Sequence, residues 1–134
     1  MKLLVFLISL LLHVASTPPP PADPFLGTWL TEDKNSRVEI TRVSNVYTGR
    51  YLSFVDLAAA RKKGYVVGDV VLKDVKADGK DLNGRVIDGE TKKDYKVTMT
   101  ATDANHILMK VKVMGITAHS ETWTRVAGVA AAKK

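Results

Sequence analysis

The sequence predicts an all-β fold: an antiparallel, up-and-down, eight-stranded barrel with one short helix. Three observations carry this. Between residues 25 and 126, segment after segment alternates apolar and polar side chains with a period of two, and Gly, Asn and Asp separate the segments. The links between neighbours are mostly short, which suits up-and-down closure better than the open sandwich that the same alternation also allows. The chain's two tryptophans stand in Gly27-Thr28-Trp29 and in Trp123-Thr124-Arg125, within the first and last segments, so the ends of the sheet are expected to meet.

Residues 1–16 read as a secretory signal peptide: Met1-Lys2, an apolar run from Leu3 to Leu12, then the small residues of Val14-Ala15-Ser16. The run falls short of the ~20 residues that a membrane-spanning helix needs. The Pro-rich spacer at 17–24 contains Pro18-Pro19-Pro20-Pro21, which no helix continues through. The mature protein is therefore expected to be secreted or periplasmic, with one domain at 25–126, a flexible tail at 127–134 and no transmembrane segment.

The strands follow in order. Phe25 to Thr31 opens the series. Arg37 to Val43 sets Val38 and Ile40 against Arg37, Glu39 and Thr41. Ser44-Asn45 turns the chain into Val46 to Phe54, where Tyr47 and Tyr51 share a face. Asp56 then caps Leu57-Ala58-Ala59-Ala60, Arg61-Lys62-Lys63 complements a helix C-terminus, and Gly64 stops it. This two-turn helix reads as a connector that plugs one barrel end, or else as a basic lid over the mouth. Val66 to Val75 is more continuously apolar, and Leu82 to Asp88 follows the Ala77-Asp78-Gly79-Lys80 turn. Lys93 to Ala101 carries Tyr95, Val97 and Met99 on one face, and His106 to Met114 carries Ile107, Met109, Val111 and Val113. Ala118 to Val126 ends the series, and a one-residue slip there would exchange Trp123 for Thr122 on the inner face.

Several stretches together resemble the domain of unknown function 2147 family: Gly27-Thr28-Trp29-Leu30-Thr31-Glu32-Asp33, Ser36-Arg37-Val38-Glu39-Ile40, Gly49-Arg50, Asn83-Gly84-Arg85-Val86-Ile87-Asp88, Tyr95-Lys96-Val97, and Met114-Gly115-Ile116 through Thr122-Trp123-Thr124-Arg125. The resemblance implies an exported bacterial protein with a lipocalin-like barrel and no assigned activity. More distantly, the Gly-x-Trp of the first strand and the Arg of the last look like the signature of lipocalins and fatty-acid-binding barrels. Carried over, that signature makes Gly27, Trp29 and Arg125 a structural latch, with Trp123 marking the same seam. The chain departs from the family where Tyr-Asp-Pro is usual, having Ile87-Asp88-Gly89, and where Gly-Arg-Thr is usual, having His119-Ser120-Glu121.

Composition and spacing exclude more chemistry than they supply. There is no cysteine, hence no disulfide, no thiolate nucleophile and no cysteine-ligated zinc. If the last hairpin turns near Gly115-Ile116, His119 falls opposite Lys112 and His106 opposite Arg125, placing the histidines roughly 20 Å apart, too far to share a metal or a proton. The acids at Asp78, Asp81, Asp88, Glu90 and Asp94 sit in or beside turns and lack the spacing of a calcium loop. No phosphate-binding glycine loop and no catalytic constellation is present, so neither an enzyme nor a cofactor is expected.

What remains is the interior. Val38, Ile40, Tyr95, Val97, Met99, Met109 and Val111 are the pocket candidates, read equally as filled core or as the wall of a cavity for one small ligand. The first expectation is thus a monomeric carrier of a small hydrophobic or amphipathic molecule. The alternative is a filled barrel using Arg61, Lys62, Lys63, Lys110 and Lys112 on an anionic envelope or protein surface, in keeping with a net charge of +6. Behind a signal peptide, nucleic acid is not an expected partner.

Overall fold

The computed structural model describes residues 23–126. The expected signal peptide (1–16), residues 17–22 of the spacer and the tail (127–134) lie outside the described residues. Eight antiparallel strands close into a barrel in chain order: β1 (Gly27–Leu30), β2 (Ser36–Val43), β3 (Val46–Phe54), β4 (Val70–Asp78), β5 (Asp81–Ile87), β6 (Asp94–Asp103), β7 (His106–Val113) and β8 (Ile116–Arg125). One helix, α1 (Leu57–Lys62), joins β3 to β4. The ring is completed where Trp29 pairs with Arg125 and Leu30 with Thr124.

Period-two alternation decides which face each side chain takes. Val97 and Met99 of β6 lie opposite Val111 and Met109 of β7, and Trp123 of β8 lies opposite Ile107. Trp29, Val38, Ile40, Leu82, Val97, Met99, Ile107 and Met109 are all but sealed from solvent and form one core. The register of the last hairpin puts Trp123 inside, at 3% exposure, with Thr122 half-buried.

Three local departures from the expected strands have physical causes. The hairpin between β7 and β8 turns at Met114-Gly115, both with positive φ, so it is a tight two-residue turn. With a bulge between Val111 and Lys112, this sets His119 opposite Val111 and His106 opposite Thr124, not Lys112 and Arg125 as expected. Strand β4 starts at Val70 rather than Val66, because Gly68 takes φ +93 and its N–H donates to the Tyr51 carbonyl (2.7 Å), turning the chain before it can extend. Within β4, Asp74 has φ 53 and marks a bulge between Lys73 and Lys76. That extra residue returns Val75 to the side occupied by Leu72, and both are buried.

Glycines make room on either side of this strand. A Cβ on Gly84 would fall 2.6 Å from the Val75 Cα, and one on Gly49 would meet the Leu72 side chain at 2.9 Å. Helix α1 is capped as expected, with the Asp56 carboxylate accepting from the Ala59 N–H at 3.0 Å, but it buries no residue. It therefore rides on the rim, and the side chain that packs inward from this connection is Tyr65, edge-on against Tyr51 and Phe54.

The end of the barrel near Gly27 is sealed. Arg125 lies over the Trp29 indole, 4.4 Å from the ring centroid, and donates to the carbonyls of Leu26 (2.6 Å), Pro24 (2.9 Å) and Ala104 (2.8 Å). Gly27 has φ +126, and any Cβ there would sit 2.6 Å from the Arg125 guanidinium, so glycine is what lets the arginine in. Beside it, Arg42 and the Tyr47 hydroxyl both donate to Asp23.

Candidate functional site

The opposite end is open, and four connections frame it: residues 31–35, the α1 segment, the turn at 88–93 and the tip of the last hairpin. Each is fixed by ordinary backbone chemistry. Asp33 accepts from the Thr31 hydroxyl (2.7 Å) and the Asn35 N–H (3.0 Å), closing the first loop. Asp88 accepts from the N–H groups of Glu90 (2.8 Å) and Thr91 (3.0 Å). The Lys92 ammonium then donates to the carbonyls of Gly89 (2.7 Å) and Gly64 (2.6 Å), tying the 88–93 turn to the connection that carries Tyr65. Gly89 is a necessity of this arrangement, because a Cβ there would overlap the Tyr65 ring at 2.2 Å.

Inside this frame lies a hollow of about 460 Å³. Its apolar and aromatic walls come from Val71, Val86, Tyr51, Tyr65 and Trp123, and its polar lining includes Asp33, Asp88, His119 and Glu121. A second hollow of about 420 Å³ shares Val86, Asp88, His119, Glu121 and Trp123 with the first and is otherwise bounded by Tyr95, Met109, Val111, Val113 and Ala118. The two together are the mouth of the barrel.

Alternation along β8 places the polar groups. With Trp123 inside, Glu121 and His119 occupy the same face closer to the mouth. The Glu121 carboxylate accepts from the Trp123 indole N–H with one oxygen and meets His119 Nε2 at 2.9 Å with the other. Burial, followed by the proximity of Tyr65, Asp88, Glu121 and Asp33, pushes the Tyr51 hydroxyl well above the usual phenol range. Tyr65 is raised by burial and then by Asp88, Glu90, Asp33 and Glu121. Asp33 is raised by burial but lowered more by hydrogen bonds from Asn35 and Thr31 and by Lys63, so it stays ionised. The mouth is thus an aromatic cup with a negative rim.

The family model described as "Uncharacterized protein conserved in bacteria (DUF2147)" matches residues 27–125. The chain belongs to the DUF2147 family. The match runs from the glycine of the latch to its arginine, so the sealed end and the mouth of this DUF2147 barrel both fall within the family's extent. No curated protein and no solved structure matches the chain.

The pocket candidates read from the sequence divide between two places. Val38, Ile40, Val97 and Met99 lie in the packed core and border neither hollow of the mouth. Tyr95, Met109 and Val111 border the second hollow, with Met109 at its floor against the core. Of the four latch residues, Gly27, Trp29 and Arg125 meet at the sealed end, whereas Trp123 belongs to the mouth. The basic positions are spread over two elements: Arg61, Lys62 and Lys63 at the exposed end of α1, and Lys110 and Lys112 on β7. None of these borders the two hollows, but Lys63 borders a smaller one beside them that shares Asp33, Ser36 and Tyr65 with the first.

Sequence reasoning passed over Tyr51, Tyr65, Asp33, Asp88, His119 and Glu121 as mouth residues. A signal for two of them was present: once Trp123 points inward, period two forces Glu121 and His119 inward as well, and charged groups on the inner face of a strand mark an opening. Among the described residues no group of three or more His, Asp or Glu side chains is placed to hold a metal, and no helix is long and apolar enough to cross a membrane.

Proposed function

We propose that the protein binds a small amphipathic molecule in the mouth of its barrel. The apolar part would rest on Val86, Val111 and Trp123, and the polar part would face Asp33, Asp88, His119 and Glu121. The observation that carries this reading is the division of the interior. It is solid from Trp29 up to Met99 and Met109, and above them it opens into two hollows that share a wall. Their volumes of about 460 and 420 Å³ suit a small molecule, and an apolar cup with a few converging polar groups is the usual form of such a site. On the signal-peptide reading, this binding takes place in the periplasm or outside the cell.

The test is to fill the mouth from its apolar wall. Val86→Trp, or Val111→Trp if the first variant folds poorly, is expected to abolish saturable uptake of a fluorescent amphipathic probe by the mature protein while leaving the cooperative thermal transition in place. A folded variant that takes up the probe as the parent does overturns the reading.

A further inference from the structure

The mouth is defined by its charge as much as by its shape. The chain has 20 Lys and Arg against 14 Asp and Glu, yet the larger hollow is lined by Glu32, Asp33, Asp88 and Glu121 and by no lysine or arginine. The lining of this hollow is therefore opposite in sign to the molecule as a whole, with Lys63 acting on Asp33 from outside it. Low-dielectric walls focus such a field into the cavity; the hydroxyls of Tyr51 and Tyr65 are pushed up first by burial and only then by the surrounding acids.

A second, independent observation comes from Tyr51. The residue is only 7% exposed, it lines the hollow, and its hydroxyl has no hydrogen-bond partner among the described residues. A hydroxyl that opens onto the hollow without a protein partner is left to bond with whatever the hollow holds. Around it the rings of Tyr51 and Tyr65 stand edge to face, 5.6 Å between centroids, with Trp123 across the hollow. Aromatic faces bordered by carboxylates attract cations and repel anions.

We infer that the mouth selects a protonated organic amine, an amphipathic molecule whose ammonium group sits among the rings and carboxylates with the Tyr51 hydroxyl accepting one of its N–H groups. This rests on the binding reading above and adds the charge of the ligand. The Glu121 carboxylate, already held in place by the Trp123 indole and His119, is the fixed counter-charge. At the sealed end Asp23, Arg42 and Tyr47 satisfy one another.

The experiment titrates the mature protein with three probes of equal tail length, octylammonium, octyl glucoside and octyl sulfate, each below its micelle concentration. The Trp123 indole N–H resonance reports the mouth, and that of Trp29, whose N–H donates to the Phe25 carbonyl at the sealed end (3.0 Å), serves as control. Octylammonium is expected to bind about tenfold more tightly than octyl glucoside, the equivalent of one well-placed cation–π contact. Octyl sulfate is expected to leave the Trp123 signal unmoved. Glu121→Gln, or Asp33→Asn if the first variant folds poorly, should narrow the gap by weakening octylammonium alone. Equal affinities for the three probes, or preference for the sulfate, overturn the inference and leave amphipathic binding standing. If no probe moves the Trp123 signal, the binding reading fails and this inference with it.

Discussion

The guanidinium of Arg125 lies 4.4 Å from the centroid of the Trp29 indole, joining the last residue of β8 to the first strand of the barrel. Around that contact the same side chain reaches three carbonyls, two in the segment leading into β1 and one in the turn between β6 and β7. In a fold without disulfides this one residue fixes the seam. Removal of the side chain by Arg125→Ala is expected to cost about 2 to 4 kcal/mol, from a cation–π contact and charge-assisted hydrogen bonds whose acceptors would be left behind. Arg125→Lys retains the charge and loses the fork, so it should fall between the two. Urea-induced unfolding followed by tryptophan fluorescence checks both, and a loss under about 0.5 kcal/mol for the alanine variant, no more than an ordinary surface substitution costs, would sink this account of the seam.

Met99 has 0% exposure and lies opposite Met109 in a core without room beneath the mouth. Met99→Trp is therefore expected to overpack and to destabilise the barrel by about 1 to 3 kcal/mol, while Met99→Ala leaves a void and costs about 2 to 5 kcal/mol. Equilibrium unfolding measures both. A tryptophan accepted without loss would mean that a cavity exists at that depth.

On the outer wall, Asp94 meets Arg85 at 3.0 Å and Lys73 at 3.1 Å. The hydrogen bond from Arg85 and then that from Lys73 hold its carboxyl at about 2, against an ordinary value of 3.8. Because the folded-state value is depressed, the unfolded chain takes up a proton first as the pH falls. The stabilisation is thus complete above about 4 and is lost as the pH drops through about 2. Asp94→Asn should flatten the acid limb of the stability curve across that window. Urea midpoints measured at successive pH values decide it, and parallel acid limbs for the two proteins would refute the assignment.

Much of the barrel was legible because period two is a direct imprint of the pleat. Tyr95, Val97 and Met99 against Lys96 and Thr98, and Ile107, Met109 and Val111 against Lys110, announce their faces without reference to anything else in the chain. The start of β4 was not legible, since Val66 and Val67 look like strand residues and only the left-handed turn at Gly68 diverts them. Nor was the extra residue at Asp74, whose effect exists only against β5. The mouth stayed hidden for a similar reason. Asp33 and Asp88 carry the signature of turn residues and do close turns, and their second role as a negative rim arises from four connections that meet only when the ring closes.

The seam also sets the order in which the molecule can assemble. Neighbouring hairpins from β2 to β8 form between segments adjacent in the chain, but β1 finds its second partner only when Thr124 and Arg125 are present. Until then a chain emerging from a ribosome carries an unpaired edge and an uncovered Trp29. Closure is a long-range step that follows the local ones, and it is expected to be the slowest. A chain that cannot finish folding before its last strand is made stays threadable for as long as it is being synthesised.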